Sequence, residues 1–358
     1  MNKNSITKYS TLLLVYFVLF VPFVVTPQSI WNKILTPVYV SPYVYIGYDS
    51  NSLKFSDSEM DEITVGSAEL AGVNTFDSGV VKPSVRLEYS PGIITGHETN
   101  LIVNISKAEY IHSEMKSYLS FSTRAEFHAG LFKWIKAGVS LQPGLYLRNY
   151  NDKDGIGNDL TSCNFAQESV YLYASHPFLN WVWGGVTIKQ IKQYYEKPFT
   201  EFDTEIISGK IKLSTKKINK MNFSGWFETG EGDNATFGSG YISTQFDRSY
   251  QFNRFGGKWE LELGGLIKSL KISIDVNDRM YKTEEENDPL HSGRSHRDIK
   301  YSMWILRDIN ESIEAEYYFR YRVRDIFSDY EWVEQLKSFH KFETGISISF
   351  NTYLDLFY

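Results

Sequence analysis

The chain has 358 residues, with 43 acidic against 37 basic side chains, a formal net charge of −6 and one cysteine. The net negative charge gives no footprint for nucleic acid, and Cys163 alone can form neither an internal disulfide nor a cysteine-based zinc site. The 25 Tyr, 24 Phe and 8 Trp recur along the whole chain and do not gather in one segment. Composition therefore excludes nucleic-acid binding, a disulfide framework and a cysteine-based zinc site, but it indicates no particular function.

The first segment in chain order is apolar. Lys3 and Lys8 precede an apolar run over 11–25 that Pro22 interrupts. The run is short for a membrane-spanning helix, which needs about 20 residues, and a charged start is typical of secretion signals. We therefore predict a signal peptide over 1–29. Because no pair of small residues follows the run, an uncleaved anchor is the alternative.

After this segment, apolar and polar residues alternate with a period of two. In 312–325, Tyr317 and Phe319 share one face, whereas Arg320 and Arg322 share the other. Such alternation predicts a β-strand with one apolar and one charged face. The strand is long enough to cross a membrane at a tilt, which takes about 9–11 residues.

The same signal predicts fourteen strands, near 38–48, 80–90, 99–110, 116–130, 135–150, 164–175, 181–194, 202–215, 220–231, 253–264, 269–282, 297–308, 313–325 and 338–350. Odd-numbered connections are long or polar and even-numbered ones are tight, as in a barrel with long loops at one end and short turns at the other. A sheet in lipid must leave no unpaired edge. We therefore predict an all-β fold, a single transmembrane antiparallel up-and-down β-barrel of about 14 strands over 30–350, with both termini periplasmic. Residues 351–358 would be an extension or the end of the last strand, and a large secreted or periplasmic β-protein is the alternative.

The last predicted strand carries a resemblance to a known class. Within 343–350, Gly345, Ile348 and Phe350 resemble the C-terminal assembly signal of Gram-negative outer-membrane β-barrel proteins, a porin-like class. The resemblance implies an outer-membrane location, contact with outer-membrane lipid and lipopolysaccharide, and delivery to the barrel-assembly machinery. It identifies no specific family, and the chain departs from the pattern by continuing to Tyr358.

If the apolar face meets lipid, the charged face lines the lumen. Strand direction then predicts a basic zone toward the long loops, formed by Arg86, Arg124, Arg148, Arg279, Arg320, Arg322 and Arg324. It also predicts an acidic zone below, formed by Glu88, Glu126, Glu260, Glu262, Glu314 and Glu316. A basic ring in a wet lumen would concentrate anions. The alternative is that these charges pair across strands and hold the interior together.

Barrel size decides whether a pore remains. Fourteen strands fall between about eight, which leave room for side chains only, and about 16, which leave an aqueous channel. A narrow pore is therefore predicted unless a loop folds inward. The connection over 49–79 is the candidate plug, since its acids Asp57, Glu59, Asp61 and Glu62 could cap a basic mouth.

No catalytic or metal-binding motif stands out. The seven histidines lie in no nucleophile motif, no GxSxG or HExxH occurs, and the acids of 152–159 lack the spacing of an EF-hand loop. We predict no enzyme activity, no cofactor and no metal site, with a rim enzyme and a sugar-binding stack of lumen aromatics as minor alternatives. The predicted function is passive diffusion of small polar or anionic solutes through an outer-membrane channel with mild anion preference. The alternative is a plugged barrel that serves as an anchor or component of an export or surface-assembly complex.

Overall fold

The structure is a computed structural model that describes residues 34–63, 75–152, 154 and 160–354. The predicted signal peptide over 1–29 and residues 355–358 lie outside the described residues. Within the described part of the chain, no helix is both long and apolar enough to cross a membrane.

One antiparallel sheet holds the strands of the described residues. They are β1 (Val38–Asp49), β2 (Ser78–Tyr89), β3 (Glu98–Tyr110), β4 (Tyr118–Gly130), β5 (Lys133–Asn151), β6 (Leu160–Pro177), β7 (Val182–Tyr195), β8 (Thr204–Thr215), β9 (Met221–Asn234), β10 (Tyr250–Gly264), β11 (Ile267–Tyr281), β12 (Ser295–Asp308), β13 (Ile313–Phe327), β14 (Phe339–Phe350) and β15 (Thr352–Leu354). From β1 to β14 each strand pairs with the next in sequence, and β14 also pairs with β1. The sheet therefore closes into a 14-stranded up-and-down barrel, as predicted.

The closing seam joins the first strand to the last two. Strands β1 and β14 pair from Tyr43 opposite Ser349 to Asp49 opposite Glu343. After Asn351, the short β15 resumes the pairing with the start of β1. Residues Thr352–Leu354 thus pair with β1 beyond the end of β14 at Phe350.

Connections alternate between the two ends of the barrel. One end, here called the loop end, carries 50–77, 111–117, 152–159, 196–203, 235–249, 282–294 and 328–338. The opposite end, here called the turn end, carries 90–97, 131–132, 178–181, 216–220, 265–266 and 309–312. The longest connections all lie at the loop end, as predicted, although 90–97 at the turn end is one residue longer than 111–117 at the loop end. Several strands extend beyond their predicted bounds at the loop end, as β6 does, because hydrogen-bonded pairing continues where apolar alternation has ceased.

The two faces of the barrel wall differ in chemistry. On β13, the side chains of Tyr317, Phe319 and Tyr321 are exposed on the outer face. Between them, Arg320 and Arg322 point to the other side, where they bind acidic side chains of neighbouring strands. An apolar outer surface over a charged interior is the pattern expected of a barrel in lipid.

Five short helices of the described residues lie at the loop end. They are α1 (Asp57–Glu62), α2 (Glu331–Lys337) and the 3-10 helices Glu114–Lys116, Thr200–Phe202 and Ile242–Thr244. Ser56 caps α1, and the Ser58 hydroxyl donates to the Gln335 carbonyl of α2 at 3.0 Å. These contacts fix the start of the 50–77 connection over the mouth of the barrel.

Candidate functional site

Two arginines of β13 share one buried carboxylate. The side chain of Asp298 on β12 lies opposite Arg324 in the register and is 2 % exposed. It accepts hydrogen bonds from Arg322 Nε at 2.8 Å and from Arg324 Nη2 at 2.9 Å. Two cations on one anion leave a local excess of positive charge near the loop end.

A second group of charges lies beside the closing seam. Lys341 on β14 is buried and contacts the carboxylates of Asp49 at 2.8 Å and Glu343 at 2.7 Å. Arg320 Nη1 lies 3.4 Å from Glu343 Oε2. This group is balanced, with two cations and two anions.

The connection from β1 to β2 folds inward at the mouth. Arg148, near the end of β5, donates from Nη1 to Glu59 Oε1 and from Nη2 to the Lys54 carbonyl, each at 2.8 Å. Its guanidinium also lies 4.7 Å from the centre of the Phe55 ring. Leu53 and Phe55 are buried with Tyr146 of β5 in a small apolar cluster. The predicted plug segment is thus held against the inside of β5 over the part that the structure describes.

Two lysines outside the strands lie among the charged groups of the mouth. Burial lowers the pKa of Lys54 well below its usual range, and the nearby cations Lys116, Arg322 and Lys341 lower it further. Burial and the charge of Lys341 lower the pKa of Lys116 to about 8, against the opposing effect of Asp49. Lys116 Nζ donates to the Tyr146 carbonyl at 2.8 Å.

These residues form one constellation, here called the mouth cluster. It comprises Lys54, Lys116, Arg148, Arg322, Arg324 and Lys341 with the acids Asp49, Glu59, Asp298 and Glu343. Basic side chains outnumber acidic ones within the mouth cluster. The cluster can therefore attract small anions while its internal ion pairs hold the side chains in place.

The other residues of the predicted basic zone lie elsewhere along the lumen. Arg86 pairs with Glu88 at 2.6 Å near the turn-end terminus of β2. In the middle of β4, Arg124 pairs with Glu126 at 2.6 Å. Arg279, near the loop end of β11, lies 3.9 Å from the centre of the Tyr250 ring. The structure therefore brings only part of the predicted basic zone together in the mouth cluster.

The remaining members of the predicted acidic zone lie toward the turn end. Glu260 is 3.5 Å from Lys258, and Glu262 pairs with Lys217 of a turn. Glu314 is 3.1 Å from Lys268. Lys258 lies on the same strand as Glu260, whereas Lys268 and Glu314 lie on different strands, and Glu260 is also 3.8 Å from Lys271 of β11. The cross-strand pairing weighed from the sequence therefore occurs at part of these positions.

An aromatic cleft faces the lumen beside the closing seam. It has a volume of about 380 Å³ and is lined in part by Tyr43, Tyr45, Tyr110, Tyr118, Trp304 and Tyr318. Glu316 of the predicted acidic zone and Arg320 of the predicted basic zone also line it. The Trp304 and Tyr318 ring centres are 5.7 Å apart. The cleft offers ring faces together with both signs of charge.

Sequence reasoning missed several of these groups. Arg254 on β10 binds Asp275 at 2.8 Å and belongs to the lumen face by simple alternation, so its strand position could have identified it. Asp49 ends β1 on the same face as Tyr45 and could have been found in the same way. Lys54 and Lys116 lie in connections, where alternation gives no signal.

The comparisons with known proteins give fold similarities only. No family model and no curated protein matches the chain. Among solved structures, the anion-selective porin from Comamonas acidovorans is 8 % identical, with 88 % of this chain and 98 % of that chain covered at a TM-score of 0.40. The outer membrane channel DcaP of Acinetobacter baumannii is 8 % identical, with coverage of 88 % and 97 % at a TM-score of 0.46. A bacterial polysaccharide outer membrane secretin is 8 % identical, with coverage of 89 % and 99 % at a TM-score of 0.42.

Proposed function

We propose that the protein is an outer-membrane channel for passive diffusion of small polar solutes, with a mild preference for anions. The observation that carries the proposal is a closed barrel of 14 strands whose outer face is apolar and whose inner wall is charged. Such a wall needs water beside it, and a barrel of this size lies between the filled and the open classes.

The mouth cluster supports the anion preference. Its basic side chains outnumber its acids, and Arg322 and Arg324 share the single carboxylate of Asp298. A surplus of fixed positive charge in a confined lumen raises the local concentration of anions and lowers that of cations. Because most of the bases are paired, the preference is expected to be mild.

The proposed location follows from the sequence resemblance together with the closed barrel. Residues Gly345, Ile348 and Phe350 fall on β14, the strand that closes the barrel onto β1. We propose that this strand is read by the barrel-assembly machinery of a Gram-negative outer membrane. Both chain termini would then be periplasmic, and the loop end would face lipopolysaccharide.

A second candidate function has one observation in its favour. The described part of the 50–77 connection packs inside the mouth and is tied to Arg148 of β5. If this segment closes the lumen, the barrel would serve as an anchor or as a component of an export or surface-assembly complex.

The test is the conductance of the refolded protein in a planar bilayer, with the reversal potential measured under a salt gradient. Folding is checked first by the change in gel mobility on heating. A steady conductance with a reversal potential biased toward anions is the expected result. A folded barrel that conducts no current would contradict the channel and favour the plugged anchor.

Two variants test the source of the selectivity. Replacing Arg320, Arg322 and Arg324 together by Ser should reduce the anion preference, whereas Asp298→Asn should raise it, because two arginines lose their shared counter-charge. Arg297→Ser is the matched control, since Arg297 is exposed on the outer face of β12 and pairs with Asp278. An unchanged reversal potential in both lumen variants would refute the proposed role of these arginines.

A further inference from the structure

Three lysines of the lumen wall have no carboxylate partner. Lys189 lies on β7, and Lys210 and Lys212 lie on β8, at neighbouring positions of the same face. Among the described residues, no acidic oxygen lies within ion-pair distance of any of the three ammonium groups, whereas 18 other Lys and Arg side chains have such a partner. We call Lys189, Lys210 and Lys212 the lysine wall.

The nearest acid to the lysine wall is already engaged. Glu228 on β9 stands opposite Lys210 in the register. Its carboxylate accepts a hydrogen bond from the Ser208 hydroxyl at 3.0 Å and lies 3.6 Å from Arg254. Arg254 is also bound to Asp275. The lysine wall is therefore a patch of positive charge that the protein itself leaves without a paired anion.

Aromatic rings surround this patch, and glycines hold them against the barrel wall. Tyr171 lies over Gly138, where an added Cβ would stand 2.6 Å from the ring. Tyr173 lies over Gly185 in the same way, with 2.4 Å to an added Cβ. Only glycine allows so close an approach, so each ring can lie low on the wall without narrowing the lumen.

The rings and the lysines are interleaved. Lys210 Nζ lies 5.1 Å from the centre of the Trp226 ring, and Lys212 Nζ lies 5.6 Å from that of Trp183. Lys189 stands opposite Tyr171 in the register. A solute on this wall would therefore meet ring faces and ammonium groups at the same time.

This combination selects a class of solute. Aromatic faces pack against flat, weakly polar C–H surfaces, and ammonium groups attract carboxylates as point charges. Tyr171 and Tyr173 are two residues apart on one strand, about 7 Å along the wall, so an extended solute with repeated rings fits better than a single small one. Sugar rings that carry carboxylates meet all these demands.

We infer that the lysine wall and the rings of Tyr171, Tyr173, Trp183 and Trp226 form a binding site for acidic oligosaccharides. The inference deepens the proposed function and rests on it, because a saccharide reaches this wall only through the lumen. Bound saccharide would occupy the pore and reduce the ion current.

The probe is trigalacturonate, added to the refolded protein in a planar bilayer. It should block the current at a concentration at least tenfold lower than either maltotriose, which has rings without charge, or citrate, which has charge without sugar rings. The double variant Lys210→Gln, Lys212→Gln should raise the half-blocking concentration about tenfold. Lys82→Gln is the matched control, because Lys82 also lines the lumen without an ion-pair partner among the described residues, but beside the aromatic cleft.

Several outcomes would overturn the inference. If citrate blocks the current as strongly as trigalacturonate, charge alone accounts for binding. If maltotriose does so, ring stacking alone accounts for it. Stronger block by 4-hydroxybenzoate would make it a site for aromatic acids. An equal effect of Lys82→Gln would remove the special role of the lysine wall.

A second readout separates this inference from the proposed function. Trigalacturonate should also quench the tryptophan fluorescence of the detergent-solubilised barrel, and Trp226→Phe should reduce the quenching. A conducting barrel without block or quenching would refute the saccharide site and leave the channel standing. A barrel that binds trigalacturonate but carries no current would refute the channel and leave the site.

Discussion

At the scale of single residues, several aromatic rings of the lumen face lie directly over glycines. The pattern recurs beyond the lysine wall: the Trp226 ring lies over Gly256, and the Phe252 ring lies over Gly230. In each case an added Cβ would come within 3 Å of a ring atom. The rings therefore lie close against the backbone of the barrel wall.

Gly138→Ala tests this role, because the three atoms nearest the new methyl group all belong to the Tyr171 side chain. We expect the ring to be pushed into the lumen, the conductance to fall and the free energy of unfolding to drop by about 1–3 kcal/mol. Gly144→Ala on the same strand is the control, since an added Cβ there meets nothing within 4 Å. Urea unfolding and conductance measure the two effects, and equal losses in both variants would contradict the explanation.

A second prediction concerns Lys116 and pH. Its pKa of about 8, lowered by burial and by Lys341, is well below the ordinary lysine value of about 10.4. As the pH rises from 7 to 9, Lys116 loses its charge before ordinary lysines do, so the anion preference of the mouth should decrease. The reversal potential measured over this range in the wild type and in Lys116→Met is the check. The same decrease in both proteins would assign it to another group.

A residue of the site could be identified from the sequence only where its position follows from residues close to it in the chain. The lumen position of Arg320 follows from its immediate neighbours, because alternation is local. The position of Lys54 depends on its contact with Arg148, almost a hundred residues away, and no local pattern encodes that contact. The sharing of Asp298 by Arg322 and Arg324 likewise requires the register between β12 and β13.

At the scale of elements, Glu59 has two roles in α1, and it joins the helix to β5 while Asp57 contacts His340 of β14. Glu59 Oε2 accepts from the Ser56 backbone N–H at 2.9 Å and so completes the capping box of α1. The other oxygen, Oε1, binds Arg148 on β5. One side chain thus both starts the helix and fastens it inside the mouth.

Glu59→Gln separates these two tasks, because Gln also serves in a capping box but carries no charge. We expect the helix to form while its attachment to Arg148 weakens, so that single-channel conductance and current noise increase. Glu62→Gln is the matched control, since Glu62 lies exposed on the same helix. Identical currents in wild type and Glu59→Gln would mean that this attachment does not restrict the pore.

The strands were more predictable from the sequence than the connections between them. Every strand from β1 to β14 appears in the period-two pattern because each must present one face to the outside and one to the lumen. From the sequence, the inward fold of the 50–77 connection could be predicted only because its acidic side chains could be attracted to a basic mouth. Of those acids, Glu59 binds Arg148 of β5, while Asp57 contacts His340 of β14 at 3.3 Å.

At the scale of the whole molecule, strand count and connection parity were predictable because each repeats a local rule fourteen times. The orientation of the barrel in a membrane and the identity of a solute are different questions, since they depend on surroundings that the sequence does not contain. Under the proposed function, Gly345, Ile348 and Phe350 would bear on the first of these questions, because they resemble a C-terminal assembly signal.

Ending the chain after Phe350 tests how much β15 contributes. The seven register pairs between Tyr43 and Asp49 of β1 and their partners on β14 would remain, so we expect the barrel to close. Loss of the three pairs with β15 should lower the free energy of unfolding by about 1–3 kcal/mol. Gel mobility on heating reports closure, and urea unfolding reports stability. Failure of the shortened chain to close would place the terminal assembly signal in the removed residues.

The closing seam also dictates an order of folding. Every other strand pair joins neighbours in sequence, whereas the seam pairs Tyr43 with Ser349, about three hundred residues later. Hairpins can form as soon as their two strands exist, but the seam must wait for the whole sheet and bears the largest loop-closure entropy. Until then β1 and β14 are open edges able to pair with other chains. The last step of folding is therefore also the step at which aggregation competes most directly.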